Sequence, residues 1–173
     1  MQVPYKINQV NIQQVHQLQK ISKETFLAAF AKDNTAQNIE DYFEKAFSIK
    51  ALNNQLNNLN SRFYFVYQGP ELCAYFKINI GDSQTEIQGM DGLELERIYI
   101  YPSFQNQGLG EIILNEVKIK AILENKKYIW LGVWEHNIKA IQFYKRFGFE
   151  QFDNHIYILG DDAQTDLMMR LIL

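Results

Sequence analysis

The middle of the chain contains a strand, a glycine turn, a helix and a second strand in direct succession. Leu93 to Tyr101 (LELERIYIY) is predicted to be a strand that ends before Pro102, and an amphipathic helix is predicted from about Gly108 to Glu124. Tyr128 to Trp134 (YIWLGVW) has the apolar character of a short buried strand. Strands joined through a helix lie parallel in one sheet, so this unit predicts a parallel pair at the centre of the fold.

Hairpins and further helices flank this unit. Arg62 to Gln68 and Leu72 to Ile80 surround a Gly-Pro break and predict a β-hairpin, and two closing strands are predicted at Phe149 to Leu159 and Thr165 to Leu173. These segments predict an α/β fold in a single domain, residues 1–173, with a mixed, mostly antiparallel sheet flanked by helices. The remaining predicted elements are a first strand at Val3 to Val10, helices at Asn11 to about Ala31 and Thr35 to about Phe47, and a helix at Asn137 to Phe147 followed by Gly148 at C′.

The aliphatic residues of the first central strand change phase along its length. Leu93 and Leu95 are two positions apart, but the next aliphatic residues are Ile98 and Ile100, one position out of register. A strand keeps its side chains on one face only at a period of two residues. The slip predicts a β-bulge near residues 96–97. A strand buried on both faces, with tyrosines on the second face, is the alternative.

Composition narrows the class of protein. The 173 residues carry a net charge of −3 without a cluster of Lys or Arg, which argues against nucleic-acid binding and is compatible with a cationic substrate. No apolar stretch approaches the roughly 20 residues of a membrane-spanning helix, and the first residues lack the pattern of a signal peptide. The one cysteine, Cys73, lies in an apolar run and is predicted to be a core residue. We therefore expect a cytoplasmic protein without a membrane partner.

The turn between the central strand and its helix has the clearest chemical meaning. Gln105-Asn106-Gln107-Gly108-Leu109-Gly110 places two glycines at the start of a helix, where free N–H groups and the helix dipole favour an anion such as a phosphate. The segment lacks the Gly-Lys-Ser/Thr of a P-loop, and Ile113 stands where a dinucleotide-binding fingerprint has its third glycine. A glycine turn that simply enters a helix is the alternative at this point.

Two segments resemble the sequence motifs of the GNAT acetyltransferases. Gln105, Gly108 and Gly110 occupy the defining positions of motif A, Arg/Gln-x-x-Gly-x-Gly/Ala. Asn137 to Phe149 resembles motif B, Asn-x-x-Ala-x-x-Phe/Leu-Tyr-x-x-x-Gly-Phe. With the element order, the resemblance covers essentially the whole chain. It implies the GNAT fold, whose parallel central strands splay apart around acetyl-CoA, and direct attack of an amine on the thioester.

One branch of the family is similar in more detail. YIWLGVWEHN and the later LGDDAQTDLMM resemble segments of the bacterial PaiA-like spermidine/spermine N-acetyltransferases. This resemblance implies a small cationic amine, a polyamine, as acceptor. A protein N-terminus, a lysine or another small amine is the alternative, followed by a non-catalytic acetyl-CoA-binding module and a generic phosphate-binding protein. Family members often pair, so a homodimer is possible.

The resemblance also assigns residues to acetyl-CoA. Backbone groups of residues 98–100 are expected to bond the pantetheine amides, and the N–H groups of residues 106–111 the pyrophosphate. Glu111 departs from the family pattern, in which Lys or Arg is commoner. Asn137 is expected to contact the cofactor arm, and Lys139 to reach a phosphate, with an N-cap and a solvated helix face as the respective alternatives. The expected set is Ile98, Tyr99, Ile100, Gln105, Asn106, Gln107, Gly108, Leu109, Gly110, Glu111, Asn137, Lys139 and Tyr144.

The reaction requires an acid and a base. By its match to motif B, Tyr144 is expected to protonate the leaving thiolate, since a phenol near pKa 10 can serve a thiol near 8.5; packing in the apolar stripe of its helix is the alternative. A polyamine is protonated at neutral pH, so a base is needed, and Glu96 at the predicted bulge leads, before Glu94 and Glu135. A carboxylate is a weak base toward an ammonium, so a relay through ordered water is expected. A surface or ion-paired carboxylate is the alternative for each.

Acidic residues are expected to bind the cationic substrate. Asp161, Asp162 and Asp166 form a group near the closing hairpin, for which a solvated turn is the alternative. The three histidines, at positions 16, 136 and 155, lack metal-ligand spacing, so they are predicted to be ordinary surface or packing residues and no metal is expected. The predicted substrate-binding residues are Glu94, Glu135, Asp161 and Asp162.

Overall fold

A computed structural model describes residues 4–86 and 89–173, and its seven strands form one sheet in the order β1-β2-β3-β4-β5-β7-β6. The strands are β1 (Tyr5–Gln9), β2 (Ser61–Gln68), β3 (Glu71–Ile80), β4 (Gly92–Ile100), β5 (Tyr128–Trp134), β6 (Glu150–Leu159) and β7 (Asp162–Ile172). The helices are α1 (Val15–Phe30), α2 (Ala36–Phe47), α3 (Ile49–Leu56), α4 (Leu109–Leu123) and α5 (Ile138–Arg146). Within the described residues, no helix is both long and apolar enough to cross a membrane.

The sheet is mixed, with its parallel pair at the centre. β4 and β5 run parallel, whereas the other neighbouring strands pair antiparallel. The parallel pairing joins residues 92–94 to residues 128–130 and ends there, although both strands continue. The α/β class and the central parallel pair are therefore confirmed, and the two strands part after three residue pairs.

A β-bulge interrupts β4, as the phase slip predicts. The register between β3 and β4 shifts between Lys77 and Ile78, which leaves Glu96 as the extra residue of β4. Because of this extra residue, Leu95 and Ile98 pack in the same apolar layer although three positions separate them. The bulge is therefore confirmed, and its alternative, the burial of both faces, occurs together with it, since Tyr99 and Tyr101 pack in the layer on the other face.

The N-terminal half contains one helix that the sequence analysis does not predict. α3 begins where α2 ends, and Ser48 is both the C-cap of α2 and the N-cap of α3. Its extended backbone (φ −62°, ψ 152°) turns the chain, and its hydroxyl accepts a hydrogen bond from the Ala51 N–H at 3.3 Å. Leu52, fully buried, fixes the short helix on the core. Eight residues rich in Asn and Gln show too little periodicity for prediction.

Two apolar layers cover the two faces of the sheet. α4 and α5 pack on one face through residues such as Ile113 and Ile141. α1, α2 and α3 pack on the other through residues such as Leu18 and Phe47. Each large side chain buried in this way contributes about 1.5–3 kcal/mol. Cys73 is fully buried in the first layer, which confirms that it is a core residue.

Candidate active site

A cavity of about 640 Å³ lies where β4 and β5 part. Residues 94–100 of β4 and 132–134 of β5 form two of its walls, and residues 155–159 of β6 form a third. Side chains of α1, α2 and α5 complete the lining. Eight of the predicted site residues lie in these walls: Glu94, Glu96, Ile98, Tyr99, Ile100, Gln105, Asn137 and Tyr144.

The predicted phosphate-binding turn lies at the N-terminus of α4, beside the cavity lining. Gly108 is the N-cap of α4 with φ +80°, and no side chain caps the helix there. A Cβ at Gly108 would meet nothing within 4 Å, so the approach to the first-turn N–H groups is open. Asn106 also has a positive φ, 60°. The side chain of Glu111 is exposed, so its charge has a path to solvent. Such a helix start offers an anion N–H donors and the positive end of the dipole.

The second glycine of the motif has a different structural reason. A Cβ built at Gly110 would lie 2.9 Å from the Cζ of Phe143, closer than real carbon atoms approach. Gly110 therefore lets α4 and α5 pack against one another at this point. Phe143 in turn contacts the ring of its neighbour Tyr144, with ring centroids 5.4 Å apart.

The edge of β4 that faces β5 is open along the cavity. On its other edge, residues 98–100 pair with residues 74–76 of β3. Beyond Glu94, β5 no longer provides partners, so alternate backbone N–H and C=O groups of β4 face the gap. The side chain of Gln105 donates from Nε2 to the Ile100 carbonyl at 3.0 Å, which ties the glycine turn to the end of this strand.

Tyr144 lies on α5 and lines the cavity. Its side chain is buried and packs against Phe143 and Phe149, as the packing interpretation expects. Burial raises the pKa of the Tyr144 phenol well above its usual value of 10. The group is therefore protonated at neutral pH, the state that a proton donor needs.

Glu96 is held in a network of charges beneath the bulge. Its carboxylate accepts hydrogen bonds from Lys77 and Asn79 and lies 3.1 Å from the guanidinium of Arg97. Burial raises the pKa of Glu96, but the charges of Arg97 and Lys77 more than offset this effect and lower the pKa to about 2. Burial also lowers the pKa of Lys77, to about 8. Glu96 is a stable carboxylate, and therefore a weak base.

Glu94 is the second carboxylate on β4, and it is almost fully buried. It accepts hydrogen bonds from the backbone N–H of Thr85 at 2.9 Å, from the Thr85 hydroxyl and from Asn79 Nδ2 at 2.8 Å. Burial and then the charge of Glu96 raise the pKa of Glu94. Both β4 carboxylates line the cavity, and Asn79 donates to both.

The opposite wall holds a second group of titratable side chains. His155 of β6 and Asp166 of β7 are register partners, and both line the cavity. The Nδ1 of His155 lies 3.7 Å from the Oε1 of Glu86. Burial raises the pKa of Asp166, and the nearby His155 lowers it in part. Among residues 4–86 and 89–173, no group of three or more His, Cys, Asp or Glu side chains is arranged to hold a metal ion.

The remaining predicted carboxylates lie outside the cavity lining. Asp161 and Asp162 are at the tip of the β6–β7 hairpin, where Asp161 accepts a hydrogen bond from Asn38 at 2.9 Å. Glu135 and Lys139 are exposed on either side of the start of α5. Only Asp166 of the predicted acidic group reaches the cavity, because it lies several residues along β7 from the tip.

The model of the Acetyltransferase (GNAT) family matches residues 17–149 of this chain. The chain belongs to the GNAT family. A relative from Lactobacillus delbrueckii subsp. lactis, described as an uncharacterized N-acetyltransferase in the pepI 3′ region, is 38% identical over 168 residues, which are 97% of each chain. This GNAT protein is therefore an acetyltransferase enzyme.

More distant relatives are similar over part of the chain or in fold. The spermine/spermidine N(1)-acetyltransferase of Bacillus subtilis (strain 168) is 38% identical over 72 residues, 41% of this chain and 47% of the relative. A PaiA N-acetyltransferase from Thermoplasma acidophilum, solved in complex with coenzyme A, superposes with a TM-score of 0.81 at 20% identity, over 98% of this chain and 99% of that one. The Escherichia coli ribosomal-protein-S18-alanine N-acetyltransferase gives 0.72 at 17% identity, over 98% and 94%. The GNAT fold predicted from the two motifs is confirmed.

The sequence analysis does not identify the residues that pair with the carboxylates of the cavity wall. Lys77 stands in the middle of the apolar strand ELCAYFKINI, and a lysine in such a place signals a buried charge with a partner. Arg97 follows the bulge directly, and its guanidinium lies over the ring of Phe47 at 5.0 Å. His155 is predicted to be an ordinary residue, whereas its register with Asp166 places it in the cavity wall.

Proposed function

We propose that this GNAT enzyme transfers an acetyl group from acetyl-CoA to a primary amine of a small polyamine, such as spermidine or spermine. The observation that carries this proposal is the charge of the cavity wall. An excess of carboxylates in a cavity raises the local concentration of a cationic substrate. The similarity to a spermine/spermidine acetyltransferase supports the same acceptor class. Four carboxylates (Glu86, Glu94, Glu96 and Asp166) and two cationic side chains (Lys45 and Arg97) line the cavity.

The open edge of β4 and the start of α4 fit acetyl-CoA, which supplies a reactive thioester carbonyl when bound. Backbone groups of residues 98–100 would hold the pantetheine amides, and N–H groups of residues 106–111 the pyrophosphate. Asn137 caps α5 by accepting a hydrogen bond from the Ala140 N–H at 3.2 Å, and it also lines the cavity, so both of its predicted roles are compatible. Lys139 is exposed two residues further along the chain and would reach a phosphate from solvent.

Tyr144 is the proposed proton donor to the sulfur that leaves. It holds its proton at the phenolic oxygen because burial raises its pKa. A thiolate, whose conjugate acid has a pKa near 8.5, is a weaker base than a phenolate. The phenol proton therefore moves to the sulfur only as the C–S bond breaks and negative charge develops there. Tyr144 must take up another proton afterwards.

Glu96 and Glu94 are proposed to act on the amine from the β4 side. Glu96 provides a fixed negative charge, toward which a proton of the ammonium would be relayed through ordered water. Its low pKa limits it to a weak proton acceptor. Glu94, deeper in the wall, would contribute to binding of the cationic chain, and Glu135, Asp161 and Asp162 would attract the substrate from outside the lining.

The test of the proposed function is thiol release from acetyl-CoA with a panel of acceptors. Spermidine and spermine are compared with other small amines and with peptides that present a free N-terminus or a lysine. We expect release with polyamines at a rate well above that with peptides. Release with peptides alone would replace the polyamine by a protein acceptor. Tight acetyl-CoA binding without release for any amine would indicate a non-catalytic binding module.

The role of Tyr144 is tested with the Y144F variant. We expect kcat to fall about 100-fold, because general acid catalysis contributes a factor of about 10² to 10⁴. The control is F147L, a conservative change in the same helix stripe outside the cavity lining. Unchanged turnover in Y144F, with acetyl-CoA binding intact, would remove Tyr144 from the chemistry and leave it a packing residue.

Self-association is a further part of the proposal. We propose a homodimer on the resemblance to family members that pair. Size-exclusion chromatography with light scattering distinguishes one copy of the 20.4 kDa chain from two.

A further inference from the structure

The wall of the cavity opposite β4 holds a histidine that the proposed chemistry does not use. Gly132 of β5 lies two residues beyond Trp130, where the parallel pairing ends. A Cβ built at Gly132 would lie 3.4 Å from Asp166 Oδ2 and 3.9 Å from His155 Cε1. His155 and Asp166 therefore border the gap between β4 and β5, on the side opposite the bulge of β4.

The imidazole of His155 lies between carboxylates. Its Nδ1 is buried and has no hydrogen-bond partner among the described residues, and it lies 3.7 Å from Glu86 Oε1. The side chain of His155 is 27% exposed, so that exposure belongs to ring atoms other than Nδ1. A proton on Nδ1 would face the carboxylate of Glu86, which leaves Nε2 as the nitrogen that can accept a further proton. The neighbours of His155 are Asp166 from β7 and Glu86 from the β3–β4 connection. The other charged and titratable side chains that line the same cavity are Tyr42, Lys45, Glu94, Glu96, Arg97, Tyr99, Tyr144 and Tyr157.

The two β4 carboxylates already have hydrogen-bond or ion-pair partners within the protein. Glu96 is paired with Lys77 and Arg97, and Glu94 is bonded to Thr85 and Asn79. A carboxylate whose pKa is lowered by two cationic neighbours is a poor acceptor for the proton of an ammonium with a pKa near 10, whereas an imidazole nitrogen is intrinsically a stronger base than a carboxylate. An imidazole on the other wall would make the loss of this proton easier.

We propose that His155, rather than Glu96, is the base that deprotonates the acceptor amine, with Asp166 and Glu86 as positioning residues and Glu96 as a fixed charge that attracts the ammonium. This inference rests on the proposed function and names the residue that accepts the proton of the substrate ammonium. The substrate ammonium loses one proton to Nε2 of His155, directly or through water, and its lone pair forms the C–N bond at the thioester carbonyl. The C–S bond breaks, and the sulfur takes a proton from Tyr144. The second proton lost by the nitrogen replaces the one that Tyr144 gave, and the imidazolium, flanked by carboxylates, returns its proton to solvent.

The test compares H155Q with H16Q, which changes an exposed histidine of α1 outside the cavity. We expect kcat/KM for spermidine to fall about 100-fold in H155Q near pH 7 and to stay unchanged in H16Q. The deficit should shrink as the pH rises toward about 10, because the free amine then becomes abundant and needs no base. A deficit of the same size at every pH, or no deficit, would overturn the proposal.

D166N provides a second readout that does not depend on the folding of H155Q. Removing the negative charge beside His155 disfavours the imidazolium, so we expect the His155 titration, followed by NMR of its Cε1–H, to move down by about one pKa unit. The pH at which kcat/KM begins to fall on the acid side should decrease by the same amount. An NMR titration that moves while this pH stays the same would show that His155 is not the base.

The failure of this inference is distinguishable from failure of the proposed function. If wild type releases CoA with no polyamine but with a peptide amine, the acceptor class is wrong, and the same H155Q comparison runs with that peptide. If wild type turns over spermidine and H155Q has an unchanged pH profile, the acceptor class stands and His155 is not the base.

Discussion

The two walls of the cavity hold charged groups in opposite ways. On the β4 wall, Glu96 is bonded by Lys77 and Asn79 and paired with Arg97, and its pKa is lowered to about 2. On the β6–β7 wall, His155 has a buried Nδ1 without a hydrogen-bond partner among the described residues. Hydrogen bonds and ion pairs hold the Glu96 carboxylate in place, although Arg97 Nη1 has no partner among the described residues, whereas His155 has a ring nitrogen that is available to exchange a proton with a substrate.

The β4 network also explains why the bulge is stable. The carboxylate of Glu96 belongs to the extra residue of β4, and one of its two cationic partners, Lys77, lies on β3 at the register shift. Lys77 Nζ further donates to Gln55 Oε1 of α3 at 2.8 Å. The charges therefore connect the bulge to the neighbouring strand and to the helical layer above it. The other wall is connected to the helical layer by neutral groups instead, since Gln164 Nε2 donates to Asn34 Oδ1 at 3.1 Å.

The largest expected effect is the loss of the Glu96 charge. E96Q keeps the shape of the side chain but leaves Lys77 and Arg97 buried with one negative partner fewer, which costs about 3–5 kcal/mol of unfolding free energy. D166N, the matched change on the other wall, should cost about 1 kcal/mol or less because Asp166 is only half-buried. Urea unfolding of both variants measures the difference. Equal losses would show that the two walls do not differ as we describe.

Two glycine-to-alanine substitutions compare how tightly the glycine turn and the β6–β7 wall are packed. G110A places a Cβ 2.9 Å from the ring of Phe143, and relieving this overlap costs about 2 kcal/mol. G132A places a Cβ at an ordinary 3.4 Å from Asp166, so we expect a change below about 1 kcal/mol in stability. The midpoint of thermal unfolding reports both. A greater loss in G132A would mean that the β6–β7 wall is the tightly packed one.

The smallest expected effect is a change in the free energy of unfolding with pH in the acid range. The pKa of Glu96 falls from its ordinary 4.5 to about 2 on folding, so its contribution is complete above pH 4.5 and is lost as the pH falls toward 2. The difference in unfolding free energy between wild type and E96Q should therefore narrow by about 1 kcal/mol from pH 5 to pH 3.5. Denaturant unfolding at the two pH values measures it. A difference that is constant with pH would show that Glu96 is not held as a charged group.

Local sequence patterns are sufficient for much of this fold. Tyr128–Trp134 is predicted with the bounds that the structure gives, and the phase slip of the aliphatic residues places the bulge at Glu96. Both signals depend on periodicity within one strand. α3 escapes prediction because it has only eight residues and begins at Ser48, which also ends α2.

The candidate site depends on register between segments that are distant in sequence. The motifs place Tyr144, Asn137 and the β4 residues in the cavity wall from local patterns alone. The pairing of Lys77 with Glu96, and of His155 with Asp166, follows from strand neighbours that no local pattern specifies. For the same reason, three aspartates close in sequence are predicted as one group although only Asp166 reaches the cavity.

The close approach of α4 to α5 at Gly110 sets the distance between the start of α4 and the helix that carries Tyr144. The helix start proposed to receive the phosphates and the helix that carries Tyr144 meet at this point through the tip of the Phe143 ring, whose Cζ faces Gly110. A wider or thinner residue at position 143 would change the spacing between the two ends of any molecule that spans both helices. The side chain at position 143 therefore sets how closely α4 and α5 approach each other, and it does so without a part in the chemistry.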